Sequence, residues 1–172
     1  MLLSLDASLA TFSWCLAHNT SIEGDCLRLK HYESLPNYLE SQLDRLQIQP
    51  AEISKIAVII GPGNYTGLRA TLALIRTWHM LYDTPVICKN RLETMLYHVA
   101  QHNATEIMIS QSVRMDEFFI LKGKTDEQQD FKITRELLKI NRQDWQSYAG
   151  KLTVYGDTPA APLSDDTSWN HL

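Results

Sequence analysis

Apolar positions along the chain follow two rhythms, one of strands and one of helices. Residues 2–6 are a short apolar run ending in Asp6, and residues 11–17 alternate apolar with polar; both read as strands. Asp6-Ala7-Ser8 lies at the turn between them, and His18-Asn19-Thr20-Ser21 is a turn by composition. A third strand is expected over about 26–31, with Leu27 and Leu29 on one face. Three strands joined by tight turns make an antiparallel meander. From Leu35 the period becomes helical: Leu35, Tyr38, Leu39, Leu43 and Leu46 share one stripe, and Pro36 is tolerated in the first turn. Residues 47–54 form a polar connector containing Pro50, and the branched run 56–60 is a strand.

A glycine turn, 61–69, separates that strand from a helix spanning about 65–82. At about 100° per residue, Leu68, Leu72, Ile75 and Tyr82 share one side of it. Leu74, Trp78 and Leu81 lie on an adjacent side, and Arg69 and Arg76 are placed opposite. Apolar residues thus cover about half the circumference, where a surface helix needs about 100°. Such a helix is expected to be covered twice, by its own sheet and by helix 35–46, another chain, or both.

Beyond it, 85–88 reads as a strand and 91–102 as a helix with Leu92, Met95, Leu96, Val99 and Ala100 facing inward. Strands start at 107–110 and 117–122, and 123–130 is a charged hairpin or loop. Residues 133–140 fit either a strand or a short helix, 145–148 a helix, and 152–155 a strand ending at Gly156-Asp157. The tail, with Pro159, Pro162 and Ser164-Asp165-Asp166, is expected to be poorly ordered. No internal repeat shows in the sequence. The order βββαβα, βα, ββ(α)β predicts an α/β protein with a mixed sheet and helices packed on it. The expected division is a first lobe over 1–104, a smaller second lobe over 105–158 and a flexible tail over 159–172.

The chain has 172 residues, 44% hydrophobic and 21% charged, enough for one good core or two small lobes. A net charge of -4 argues against a face that holds nucleic acid unaided. No apolar run reaches the roughly 18 residues of a membrane helix. The start meets an acid too soon for a signal peptide and lacks a basic region, so a cytoplasmic location is expected. Cys15, Cys26 and Cys88 have no metal or redox spacing and read as free thiols in a reducing compartment.

The turn 61–69 is the main chemical candidate. Strand, glycine turn and helix N-terminus together present free N–H groups, which is anion-binding geometry. It is neither a Walker loop, since no Gly-Lys-Ser/Thr closes it, nor the dinucleotide fingerprint, since its glycine spacing differs. A phosphate cradle and a structural turn both remain open. His98 and His102 have the i, i+4 spacing of helical zinc ligands, but Val99 stands where a metalloprotease has glutamate, and two surface histidines are expected. Ser8, Ser110 and Ser112 lie in no nucleophile-elbow motif. Arg114 and Glu117 fit a salt pair on a strand edge.

Gly61-Pro62-Gly63-Asn64-Tyr65-Thr66-Gly67-Leu68-Arg69 resembles the Gly-Pro-Gly-Ser-Phe-Thr-Gly-Leu-Arg signature of the TsaB (YeaZ) family. Leu5-Asp6-Ala7-Ser8 resembles the family's Ile-Asp-Thr-Ser, and residues 31–39 its run into the first helix. Arg91-Leu92-Glu93 is similar to its Ser-Leu-Glu, residues 114–119 to a weakened Arg-Arg-Gly-Glu-Val-Tyr, and Gly156-Asp157 to a late Gly-Asp. The resemblance implies the ribonuclease-H-like, actin-like ATPase (ASKHA) fold, with a mixed five-stranded sheet in the first lobe and a reduced second lobe. It implies a non-catalytic subunit of the bacterial machinery that threonylcarbamoylates adenosine next to the tRNA anticodon. Its implied partners are a TsaD-type transferase, a TsaE-type ATPase and a second copy of itself when alone, with tRNA touched only indirectly. Laid on the TsaD-type His-x-x-x-His segment, Arg91 and Met95 occupy the two histidine positions, so no metal and no cofactor is implied. Asp6 and Ser8 would mark a vestigial phosphate site, and Gly61, Pro62, Gly63 and Gly67 a structural turn.

Counting faces, two neighbouring helices offer more apolar surface than one sheet covers, and exposed contiguous apolar area marks partner sites. The resemblance implies a four-helix pairing through them. The expected interface is Leu35, Leu39, Leu43, Leu46, Leu68, Leu72, Ile75 and His79. The competing expectation is a small ASKHA-type kinase or ATPase that uses Asp6 and the turn 61–69.

Overall fold

The computed structural model describes residues 1–29, 31–100, 106–114, 117–125, 131–149, 152–156 and 169–170, and the chain divides into two units, Met1–Arg91 and Leu92–Leu172. In the first unit, β1 (Leu2–Asp6), β2 (Phe12–His18) and β3 (Ser21–Leu27) form the meander. α1 (Leu35–Arg45) follows, then β4 (Lys55–Ile59), α2 (Tyr65–Tyr82) and β5 (Val86–Lys89). β4 pairs parallel with β1 and with β5, which gives the sheet order β3-β2-β1-β4-β5.

The third strand runs earlier than its apolar residues suggest. Asn19, at φ 52°, completes a tight turn, and Ser21 pairs at once with His18. β3 is an edge strand with an almost wholly exposed set of side chains, so it carries no alternating signal that a sequence reading could use.

One face of this sheet makes the core. Leu3 and Leu5, Phe12, Trp14 and Leu16, and Ile56 and Val58 alternate inward and meet Leu35, Leu39 and Leu43 of α1 and Ile75 and Trp78 of α2. These twelve side chains are all at most 8% exposed. That corrects part of the expected interface: Leu35, Leu39, Leu43 and Ile75 are core, at 0, 1, 2 and 4% exposure. Leu46 is half-buried against the same core. An amphipathic helix on a sheet uses its apolar stripe there first, so the regular Leu35-Leu39-Leu43 spacing reports the sheet, not a partner.

The second unit holds α3 (Arg91–Ala100, beginning at the last residue of the first unit), β6 (Glu106–Arg114), β7 (Glu117–Thr125), β8 (Phe131–Asn141), α4 (Arg142–Ala149), β9 (Thr153–Gly156) and the two-residue β10 (Trp169–Asn170). Leu92, Leu96 and Val99 pack with Ile107, Ile109, Leu121 and Tyr155, so α3 belongs with this sheet and the division falls at 91/92, not after 104. The ambiguous 133–140 is strand, inside β8. Glu117 pairs with Lys139 across β7 and β8, at 2.7 Å.

β6, β7 and β8 are antiparallel, while β9 and β10 add parallel beside β6, so read from β8 the sheet runs β8-β7-β6-β9-β10. This is the same topology as the first unit. The second lobe is therefore not reduced in strand count, and a structural repeat exists where the sequence shows none. Within the tail, Trp169–Asn170 pairs with β9; the remainder, with Asp157, His102, the 126–130 part of the expected loop and Met115-Asp116, lies outside the described residues.

Candidate functional site

The first unit gathers Asp6, Ser8, the turn 61–67 and Arg91 at one end of its parallel strands. Asp6 ends β1, and its Oδ1 accepts the Ser8 N–H at 2.7 Å. Its Oδ2 accepts from Arg91 Nη1 at 3.1 Å, a pair whose side chains are 24% and 12% exposed. Arg91 Nη1 also approaches Ser8 Oγ at 3.5 Å, and its backbone N–H donates to the buried Gly61 carbonyl at 2.9 Å. Pro62 follows Gly61 through a cis peptide.

The loop after β1 packs straight onto this turn. Asn64 N–H donates to the Ser8 carbonyl at 2.6 Å. A Cβ built on Gly63 would stand 2.0 Å from that same carbonyl oxygen, and one on Gly67 would stand 2.4 Å from the Ala7 oxygen and 3.0 Å from the Tyr32 ring. Only glycine permits such backbone approach. The glycine spacing is thus explained by the chain's own contacts.

The α2 N-terminus is likewise occupied. Asn64 is its N-cap: Oδ1 accepts from Thr66 N at 3.1 Å and from Gly67 N at 3.3 Å. Its amide Nδ2 donates to Tyr32 Oη at 2.8 Å and to the Leu9 carbonyl at 3.2 Å. N–H groups that an anion would need are spent on the cap. At the segment laid on the transferase histidines, Arg91 is a cation bonded to Asp6, and Met95 packs into the α3 core. That donor set does not fit a divalent metal. Among the described residues no group of three His, Cys, Asp or Glu could hold one.

The outer side of α2 remains open on this unit. Tyr65, Leu72 and Met80 are 71, 37 and 75% exposed, and Arg69 and Arg76 are exposed between them. The arginines share the exposed stripe with Leu72, where the sequence reading set them opposite it. Four residues are 400° of helix, so Leu72 and Arg76 sit only about 40° apart. Arg69 stacks over the Tyr65 ring at 5.4 Å. Leu68 is half-buried. His79 is exposed, but its Nδ1 meets the Thr84 carbonyl at 2.9 Å and so helps close the helix end. Sequence reasoning missed Tyr65 and Met80; the spacing Tyr65, Arg69, Leu72, Arg76, Met80 marks them once the stripe is phased on the arginines.

Two sheets of the same 3-2-1-4-5 order, each a meander followed by parallel strands, define an actin-like (ASKHA) protein built from ribonuclease-H-like lobes. The family model of TsaD, tRNA N6-adenosine threonylcarbamoyltransferase, matches residues 26–154. The chain belongs to that family. It is 29% identical over 97 residues to the tRNA threonylcarbamoyladenosine biosynthesis protein TsaB of Bacillus subtilis (strain 168), covering 55% of this chain and 42% of that protein. It is 35% identical over 68 residues to a tRNA N6-adenosine threonylcarbamoyltransferase of Synechococcus sp. (strain JA-3-3Ab), covering 40% of this chain and 19% of that one. These matches span less than half the length of either relative. The solved structure of YeaZ from Pseudomonas aeruginosa shares the fold, with a TM-score of 0.71 at 20% identity over 90% of this chain and 74% of that one. No described helix is long and apolar enough to cross a membrane.

Proposed function

We propose that this chain is a non-catalytic scaffold subunit in tRNA threonylcarbamoyladenosine biosynthesis, acting by binding a TsaD-type transferase. The observation that carries this reading is the Asp6–Arg91 pair: the acid that would position a metal-bound phosphate already holds an internal cation. The same end of the sheet has its helix N–H groups capped by Asn64. The chemistry of a phosphate site is therefore turned to holding the turn 61–67 in place.

That turn launches α2, whose outer stripe of Tyr65, Leu72 and Met80 is the proposed docking surface. Large apolar side chains spaced along one helix face are what a partner helix covers. A transferase conformation that alone buries this stripe is favoured by the binding energy, which is how a subunit without catalytic groups activates one that has them. A TsaE-type ATPase acts on the resulting pair. Transfer RNA contacts the assembly chiefly through its more basic subunit, since this chain carries a net charge of -4. Without the transferase, the same stripe pairs two copies of this chain, so the two assemblies compete.

Co-purification with a TsaD-type transferase, followed by sedimentation of the mixture, tests the reading. A stable complex of the wild-type chain that Leu72→Glu and Met80→Glu each dissolve is expected. No complex with the wild-type chain would overturn it.

A further inference from the structure

The register of the first sheet brings together two thiols, Cys15 and Cys26, that are well separated along the chain. Cys15 of β2 lies opposite Gly24 of β3, and Cys26 lies opposite Ser13, so the two cysteines are diagonal neighbours on one face of the sheet. That face is turned away from the core, since Phe12, Trp14 and Leu16 point the other way. Cys15 is half-buried, Cys26 is exposed, and both are free thiols. Glycine keeps the space beside them open: a Cβ on Gly24 would stand 3.4 Å from the Cys15 Cβ and 2.5 Å from the Trp14 carbonyl oxygen. The backbone at the second thiol is held in place by Asp25, whose Oδ1 accepts the Cys26 N–H at 2.7 Å. Its Oδ2 accepts from Tyr38 Oη at 3.4 Å, and that hydroxyl accepts in turn from Trp14 Nε1 at 3.0 Å.

Diagonal neighbours on two paired strands are about 7–8 Å apart at Cα. A disulfide needs Cα atoms within about 7 Å. The pair is therefore set wide for a direct sulfur–sulfur bond and suits one atom held between the sulfurs, a span roughly twice as long. We propose that Cys15 and Cys26 form a two-thiolate site for a single soft monovalent ion, Cu(I). Thiolates select soft ions, and Cu(I) is satisfied by two of them in a line. Zinc asks for four ligands, and among the described residues no third His, Cys, Asp or Glu joins the pair. On binding, each Sγ gives its proton to solvent, and neither the ion nor the sulfurs change oxidation state. The ion then ties β3, an edge strand with one neighbour, to β2 across the outer face. The site shares no residue with the α2 stripe and stands apart from the proposed function.

Anaerobic titration of the reduced chain against Cu(I) held by a coloured chelator, bathocuproine disulfonate, tests the site. The wild-type chain is expected to withdraw one ion per chain. Cys15→Ser and Cys26→Ser are each expected to weaken retention more than about 100-fold, past the roughly 10–100-fold that a change outside the ligand set costs. Cys88→Ser, on the opposite edge strand β5, is expected to bind as the wild-type chain does. X-ray absorption of the loaded chain should show two sulfur neighbours of the copper. Cys26 is exposed, so Cys26→Ser keeps the fold and carries the test alone if Cys15→Ser does not. A wild-type chain that takes no copper, a Cys26→Ser chain that binds as tightly, or retention that depends on Cys88 overturns the inference. So does an internal Cys15–Cys26 disulfide formed on mild treatment with oxidised glutathione, since the sulfurs would then lie closer than the site requires.

Discussion

Arg91 joins two parts of the first unit at once: its guanidinium holds Asp6 Oδ2 at 3.1 Å, and its backbone N–H holds the Gly61 carbonyl at 2.9 Å. The end of β1 is thereby tied to the turn after β4 through one residue. A guanidinium stays charged at all accessible pH, so the carboxylate faces a permanent internal counter-ion. Titration calorimetry of the wild-type chain with Mg²⁺ and ATP is accordingly expected to show no binding in the micromolar range. Micromolar affinity accompanied by turnover would sink the scaffold reading in favour of a small kinase or ATPase.

The same pair has a stability consequence. Asp6 is three-quarters buried beside Arg91, and in Arg91→Ala it keeps only the Ser8 N–H. A loss of about 2 kcal/mol in urea unfolding is expected, the size of a hydrogen bond to a charged group. Arg91→Lys should recover less than half of it. Nη1 alone reaches both Asp6 and Ser8, and a lysine side chain ends one bond short of that atom.

Neighbouring residues of the glycine turn should respond very differently to alanine. In Gly63→Ala the new Cβ meets the Ser8 carbonyl oxygen at 2.0 Å and the Ser8 Cβ at 2.7 Å, and neither atom is the end of a flexible chain. The loop 7–9 must then move off the turn, a loss of more than about 3 kcal/mol. Asn64→Ala removes a helix cap, about 1 kcal/mol, and the amide bonds to Tyr32 and Leu9, about 1 kcal/mol more, so a loss of about 2 kcal/mol is expected. Chemical denaturation of the two variants side by side checks the order; equal losses would mean that the loop does not rest on Gly63.

Much of this architecture is legible from residue pattern because the core elements alternate or repeat regularly. Leu3-Leu5, Phe12-Trp14-Leu16 and Ile56-Val58 step in and out with period two, and Leu35-Leu39-Leu43 step with the helix. β3 is not legible in this way, since an edge strand with exposed side chains has no inside to alternate with. Nor is the repeat between the two sheets, because topology conserves strand order and pairing, not side chains. At the site, the turn 61–69 stands out in sequence, but its purpose does not. Gly63 is explained by Ser8, Asp6 by Arg91 and Asn64 by Tyr32, contacts that span 55, 85 and 32 positions of chain. Spacing within one motif carries no information about such partners. The interface reading failed at Leu35, Leu39, Leu43 and Ile75 for a related reason: a periodic stripe shows that a face is covered, not by what.

Leu72 and Ile75 sit one turn apart on α2 and separate covering by a partner from covering by the sheet. Leu72 is 37% exposed, while Ile75 is 4% exposed within the Leu3, Phe12 and Val58 core. A carboxylate at 72 stays in water in the free chain and is desolvated only in a complex. Leu72→Glu is therefore expected to keep the wild-type unfolding midpoint within about 0.5 kcal/mol while abolishing association. Ile75→Glu buries its charge in the folded monomer, and a loss of more than about 3 kcal/mol is expected before any partner is added. Unfolding curves and sedimentation on the same two samples decide the matter. If Leu72→Glu associates as wild type does, the docking face lies elsewhere on this unit. If Ile75→Glu folds normally, α2 does not pack on the sheet as described, and the exposed stripe it is said to leave loses its basis too.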